Sequence, residues 1–322
     1  MGDPAHHAGT IQPAPTNVDD AEDPLNDTSE VDSTLGDETY SLTDTVNSQN
    51  YQHRYLVDGR RTHGFEEAAY FLPNDEREQD RLNLQHLMWR ISLDDKLHEA
   101  PIKEDVHNIL DIATGSGIWA IEMADKYPSA KVTGTDLRSV PPNCFFIVED
   151  SDNQEWIFND KFDLIHSRAL TSAWSDWPRY LRNCYQFLTP GGWLELHDAI
   201  THLGCANGPS PNLGSEWGKL LADACALKGV DTLRPGHLET DLEAAGFINI
   251  TKKHIRWPIN PWSDDPKEKE LGRLFEINED LEGIMMGALT RGLGWSREEV
   301  EVWLVGARKG WHDRSLHNYL PM

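Results

Sequence analysis

Two glycines, a run of acids and two histidines in the middle of this 322-residue chain are spaced as ligand-handling groups are. Gly115 and Gly117 interrupt the apolar run Ile109-Leu-Asp-Ile-Ala-Thr-Gly-Ser-Gly-Ile-Trp-Ala120 where a strand would pass into a helix. Lacking a Cβ, both let the backbone turn tightly and let a ligand approach N–H groups at a helix start. Read literally, Gly115-x-Gly117-x-x-Ala120, with Asp136 about 20 residues further on, satisfies the dinucleotide fingerprint, so a nicotinamide cofactor is one reading. Asp111 favours another, because a charged side chain ending the first strand suits a cationic amino group better than a pyrophosphate. Asp136 closes a second strand that starts at Lys131. Asp150 closes a third that starts at Phe145, with Ser151 beside it. Two such acids in succession suit ribose hydroxyls and an adenine amine.

Groups able to move a proton are fewer. His166 ends a fourth strand, Phe162-Asp-Leu-Ile-His, and His197 lies near the end of a fifth, Pro190-Gly-Gly-Trp-Leu-Glu-Leu-His. Ligands of open α/β sheets bind beyond the carboxyl ends of the strands, so both are candidates for a catalytic base or a substrate-orienting group. At each position a structural histidine is the plainer reading. Arg168 either holds an anionic acceptor group or pairs with Asp163. Trp174 and Trp177 either flank an aromatic acceptor or anchor a helix. No metal is expected. The carboxylates do not cluster as Mg²⁺ ligands, and Cys144, Cys184, Cys205 and Cys225 show no paired zinc spacing.

The elements that must position these groups are marked by local signals. Asp75 with Glu78 three residues on predicts a helix start. Leu84, Leu87, Met88 and Ile91 then recur at helical spacing, giving a buttress for the sheet or a lid over the cofactor. A helix is predicted over 177–188. Beyond the fifth strand the pattern predicts helices over 218–227, 238–245, 266–289 and 297–309. Phe247-Ile-Asn-Ile-Thr251 reads as a strand and Trp257-Pro-Ile-Asn-Pro-Trp262 as an irregular loop. Met285 and Met286 fall in the core or line a substrate cavity.

The series Asp111-x-Ala-x-Gly-x-Gly, Gly134-x-Asp136, Glu149-Asp150, Phe162-Asp-Leu-Ile and Leu188-x-Pro-Gly-Gly resembles the class I S-adenosylmethionine-dependent methyltransferases. A finer resemblance, over about residues 51 to 321, is to the fungal LaeA-like methyltransferases. It rests on Phe71-Leu-Pro-Asn-Asp-Glu76, Glu78-Gln-Asp-Arg-Leu82, Gly117-Ile-Trp-Ala120, Asp176-Trp-Pro with Leu181-Arg-x-Cys-Tyr185, and Trp257-Pro-Ile-Asn-Pro-Trp262. The resemblance implies an α/β, Rossmann-like, seven-stranded, mostly parallel sheet with a helical N-terminal lid and helical insertions. Residues 51–322 would form this domain, divided into a lid (51–100), a cofactor core (101–200) and substrate-side helices with the final strands (201–322). S-adenosylmethionine is the implied cofactor. Its methionine end would be cradled by Ala113, Gly115 and Gly117, its amino group received by Asp111, its ribose by Asp136 and its adenine amine by Asp150 beside Ser151.

The acceptor implied is a small natural product of secondary metabolism. The alternative is a regulatory methyltransferase working through a protein partner, and the nicotinamide oxidoreductase remains as a third reading. Two departures from the family stand out. Ala113 occupies a loop position that is usually glycine. The last strand, within Leu316-His-Asn-Tyr-Leu-Pro-Met322, is short, which predicts unpaired backbone groups beside it.

Of the net charge of −25, residues 1–50 contribute −11, from eleven acids and no Lys or Arg. With Tyr40 as their one aromatic, they read as a disordered acidic tail, a solubilising arm or a docking segment for a basic partner. Phosphate backbones would be repelled by both parts of the chain, so no nucleic-acid partner is expected. No apolar run approaches the ~18 residues that span a membrane, and no signal segment is evident. A soluble cytoplasmic protein is expected, with the nucleus as the alternative.

Overall fold

The computed structural model describes residues 54–55, 60–62, 71–135, 143–146, 156–208, 216–278 and 280–322. The acidic tail, Asp136, Asp150 and Ser151 lie outside the described residues. A short antiparallel pair, β1 (Arg54–Tyr55) and β2 (Arg61–Thr62), precedes helix α1 (Glu76–Ser92). Asp75 caps α1 by accepting from Glu78 N at 3.0 Å, as its spacing predicts.

The predicted α/β alternation follows. Strand β3 (Asn108–Ile112) leads to α2 (Ile118–Lys126), then β4 (Lys131–Gly134), β5 (Cys144–Phe146), β6 (Phe162–Arg168), α3 (Trp177–Phe187) and β7 (Leu188–His197). These five strands form one wholly parallel sheet, in the order β5-β4-β3-β6-β7. In β3, residues 109 to 112 are all buried, as expected of a strand covered on both faces. Trp119, Ala120, Met123 and Ala124 of α2 pack on one face. Trp177, Tyr180, Leu181 and Cys184 of α3 pack on the other, so Trp174 and Trp177 are core anchors.

The expected seven-stranded sheet is divided. After β7 the chain leaves the ladder at Asp198, whose carboxylate accepts from the backbone N–H groups of Leu170, Thr171 and Ala199. It resumes as β8 (Gly204–Cys205), in a separate three-stranded antiparallel sheet with β9 (Arg256–Pro258) and β10 (Asn318–Pro321). β10 runs antiparallel between the other two. The prediction of unpaired groups beside the last strand is corrected. Ile200 N donates to Pro321 O, and Met322 exchanges both of its backbone hydrogen bonds with Ile255, each at 2.9 Å.

The predicted strand at 247–251 is also corrected. Helix α4 (Glu216–Ala226) is followed by α5 (Glu239–Ala245), after which Asn249 takes a left-handed φ of 59° and Ile248 is 80% exposed. Strand β9 lies instead where a loop was expected, because Trp257 buries itself against Met88 and Trp89 of α1. Pro258 is tolerated there because β9 is an edge strand. The single helix expected over 266–289 is broken into α6 (Pro266–Ile277) and α7 (Leu281–Gly287), since Asp280 caps a new start by accepting from Gly283 N. A π-turn at Ala288–Gly292 then leads toward α8 (Arg297–Trp311). Met285 and Met286 are buried in the cluster of α4, α7 and α8. Among the described residues no helix is long and apolar enough to cross a membrane.

Candidate active site

At the carboxyl ends of β3 and β6, a cavity of about 460 Å³, counted with its open mouth, has Asp111, Ala113, Thr114, Gly115 and Ser116 on one side and His166, Arg168 and Ala169 on another. Helix α1 forms the remaining wall through Leu82, Gln85, His86 and Trp89. The face it buries differs from the one predicted: Leu87 is 45% exposed, while His86, Met88, Trp89 and Ser92 are buried. A buried histidine breaks the apolar pattern, which is why spacing alone misplaced that face.

The glycine loop is built as the sequence predicts. Gly115 and Gly117 take φ of 60° and 77°, and Gly117 caps α2 with no side chain over the helix N-terminus. The first N–H groups of α2 are therefore left open to a ligand. A Cβ on Gly115 would sit 3.1 Å from Leu82 Cδ1 of α1, so the glycine also sets how closely that wall approaches. Ala113 has φ of 52°, in the region glycine tolerates best. Its N–H donates to Thr135 Oγ1 at 2.8 Å, which holds the conformation. Ala169, across the cavity, is likewise left-handed at φ 56°. Non-glycine residues in this region gather at functional sites.

Asp111 and His166 are paired at the cavity floor, Nδ1 to Oδ1 at 2.7 Å, as their adjacent register across β3 and β6 requires. Thr114 Oγ1 donates to the other carboxylate oxygen. Burial pushes Asp111 up to about 7, against the opposing bond from Thr114. Burial, and then the charge of Arg168, hold His166 well below the usual imidazole value. Both effects favour neutrality, so the pair sheds charge unless a cation arrives beside it. Trp119 stacks on the His166 ring at 3.6 Å, and His166 Nε2 has no hydrogen-bond partner among the described residues.

His197 is otherwise engaged. Arg168 Nε donates to its Nδ1 at 3.0 Å, and because a guanidinium only donates, the ring proton sits on Nε2 and goes to Glu195 Oε1 at 2.8 Å. His86 repeats this pattern from α1: its Nδ1 accepts from Arg168 Nη1 at 3.0 Å, and its Nε2 donates to Glu122 Oε2 at 3.1 Å. Burial first, then Arg168, lower His86; burial likewise lowers His197, against the opposing bond to Glu195. The structure thus brings Asp111, Ala113, Gly115, His166 and Arg168 to one cavity. Gly117 stands behind them at the start of α2, and both nitrogens of His197 are occupied. Thr135, His86 and Trp119 were missed by sequence reasoning. The one available signal was a lone histidine among the apolar positions of α1.

A methyltransferase-domain family model matches residues 83–252, which include the glycine loop, Asp111, His166 and His197. The chain is 36% identical over 288 residues to methyltransferase pytC of Aspergillus terreus, covering 86% of this chain and 87% of that protein. It is 34% identical over 280 residues to the secondary metabolism regulator LAE1 of Cochliobolus heterostrophus, covering 82% and 91% respectively. It is 31% identical over 299 residues to the secondary metabolism regulator laeA of Aspergillus fumigatus, covering 88% and 79%. The family match over the parallel α/β sheet makes the chain a methyltransferase. Within that class, the chain belongs to the LaeA-like S-adenosylmethionine-dependent methyltransferases. Its match to the dinucleotide fingerprint reflects the loop geometry that the two cofactor classes share.

Proposed function

We propose that this enzyme acts in fungal secondary metabolism and transfers a methyl group from S-adenosylmethionine to a small-molecule acceptor. The observation that carries the reading is Asp111, a buried carboxylate at the floor of a cavity that also holds an uncapped helix start. These residues fit the amino-acid end of the cofactor, with Asp111 for its ammonium and the turn at Ala113 to Gly117 as its cradle. Asp136 for the ribose and Asp150 with Ser151 for the adenine amine complete the assignment. The bound cofactor supplies a methyl carbon already activated by a positive sulfur, so alignment of the acceptor accounts for much of the acceleration. Helix α1 keeps water from that centre. His166, held through Nδ1 by Asp111, offers Nε2 to an acceptor that must lose a proton. His197, with both nitrogens bonded, positions Arg168 instead.

The relatives named for methyltransferase activity support the enzymatic reading, and those named as regulators favour a second, in which a protein partner receives the methyl group or the signal. Incubating the full chain with methyl-labelled cofactor and an extract of the native organism separates them. A labelled small molecule is expected; label in protein alone would favour the second reading. Removing residues 1–50 should leave small-molecule turnover intact. Lost turnover would count against the tail being dispensable.

A further inference from the structure

We propose that Arg168 is the receptor for the carboxylate at the amino-acid end of the cofactor, an inference that rests on the S-adenosylmethionine reading above. The sequence offers Asp163 as its partner, but Asp163 is committed at the other end of β6. Its carboxylate accepts from His107 N at 2.9 Å, Asn108 N at 3.0 Å and Thr189 Oγ1 at 3.0 Å. The hydrogen bonds of Arg168 all go to neutral acceptors: His197 Nδ1, His86 Nδ1 and Leu97 O. Among the described residues no carboxylate oxygen pairs with its guanidinium. An enclosed cation without an anion is costly, and it is held here by construction. Trp89 and Trp119 lie 5.6 and 6.0 Å from the guanidinium carbon, and the two histidines fix its plane from either side. Because each histidine passes its own proton to Glu195 or Glu122, neither carboxylate reaches the guanidinium directly.

A guanidinium carries five N–H donors and three are used, which leaves two for a ligand. Arg168 lines the same cavity as Asp111, and the strand register sets the spacing of their backbone positions. Asp111 stands opposite His166, and Arg168 is two residues further along β6 on the same face, a step of roughly 7 Å. An α-amino acid bound in the cavity that both residues line would offer its ammonium to Asp111 and its carboxylate to Arg168, each as a charge-assisted bond. Such a zwitterion needs two receptors of opposite sign side by side, whereas an anionic acceptor would need only one. Planar, fixed donors suit a carboxylate better than a lysine would.

Calorimetric titration of the full chain with three ligands tests this. S-adenosylhomocysteine carries both charged groups, S-adenosyl-3-thiopropylamine lacks the carboxylate, and 5′-methylthioadenosine lacks both. The wild-type protein should bind the first about 10- to 100-fold more tightly than the second, the range expected for a charge-assisted contact. Arg168→Met should erase that difference and leave binding of the other two within about twofold, which also reports that the site is folded. Arg168→Lys should fall between. Unchanged affinity of Arg168→Met for S-adenosylhomocysteine, or equal losses for all three ligands, would overturn the proposal. Should Arg168→Met fail to melt cooperatively, Arg168→Lys and the wild-type comparison carry the test. Equal wild-type affinity for the first two ligands removes the role of Arg168 and leaves the cofactor reading standing. No binding of any of the three removes the cofactor reading itself.

Discussion

Beneath α1, the enclosed side chains of His86, Asp111, His166, Arg168, Glu195 and His197 are joined by hydrogen bonds, while around α4, α7 and α8 Trp217, Leu221, Met285, Leu289, Leu304 and Trp311 are joined by packing. Enclosure has different consequences in the two places. The apolar cluster is stabilised by area removed from water and by filled volume, neither of which depends on protonation. The polar floor contributes stability only while each group keeps its charge state and partner. Natural proteins accept such local conflict where they bind or react.

The comparison breaks most visibly in the apolar cluster. Leu304→Ala should destabilise the fold by ~2 to 5 kcal/mol through lost burial and a residual cavity. The loss should be the same at about pH 7 and about pH 4 in denaturant unfolding, with cofactor affinity of the folded fraction unchanged. A strongly pH-dependent loss would mean the two regions are not separate. Next in size is Glu195→Gln. Burial pushes the Glu195 carboxyl upward, but the bonds from His197 and from the backbone N–H groups of Glu99 and Ala100 outweigh it and hold it at about 2. A carboxyl depressed by folding contributes stability above its unfolded value near 4.5, and that contribution is lost as the pH falls toward 2. Glu195→Gln should therefore cost ~2 to 3 kcal/mol at neutral pH. The gap to wild type should shrink below about pH 4.5 and be nearly closed at pH 2; a gap of constant size would show that the carboxylate is not held in its charged form.

Asp111→Asn sharpens the contrast from the side of the ligand. Because burial already lifts Asp111 to about 7, removing its charge should leave the unliganded fold within ~1 kcal/mol of wild type. Cofactor affinity should fall about 10- to 100-fold, the value of one charge-assisted contact. A large stability loss with unchanged affinity would make Asp111 a structural residue. The smallest effect expected is at Ala113→Gly. Relief of the left-handed alanine, worth roughly 1–2 kcal/mol, is partly offset by the greater freedom of glycine when unfolded, so a gain of about 1 kcal/mol or less is expected. A destabilised variant would mean that the Ala113 methyl packs usefully.

Much of this architecture was legible before any fold was known. β3, β4, β6 and β7 announce themselves as apolar runs, and the caps at Asp75 and Asp176 act on backbone groups three residues away. The glycine turn is equally local, since a positive φ is a property of one residue and its neighbours. Phe247 to Thr251 shows the limit. Its apolar alternation is as strand-like as that of any predicted strand, yet β9 forms at Arg256–Pro258 because Trp257 finds a buried place against α1 and β10 lies alongside. No pattern within either segment records which of them meets a partner.

The sequence by itself determined the parallel α/β core, the glycine turn with Asp111 before it, and the candidacy of His166 and His197, because those depend on residue type and short-range spacing. Tertiary structure alone decided which histidine keeps a free nitrogen among the described residues, that His86 joins the site from α1, that no carboxylate of the described residues pairs with Arg168, and that the sheet divides after Asp198. Each of these depends on groups far apart in the chain: Arg168 lies 82 residues from His86 and 29 from His197. Charge state and hydrogen-bond pairing are properties of such contacts, and only folding creates them.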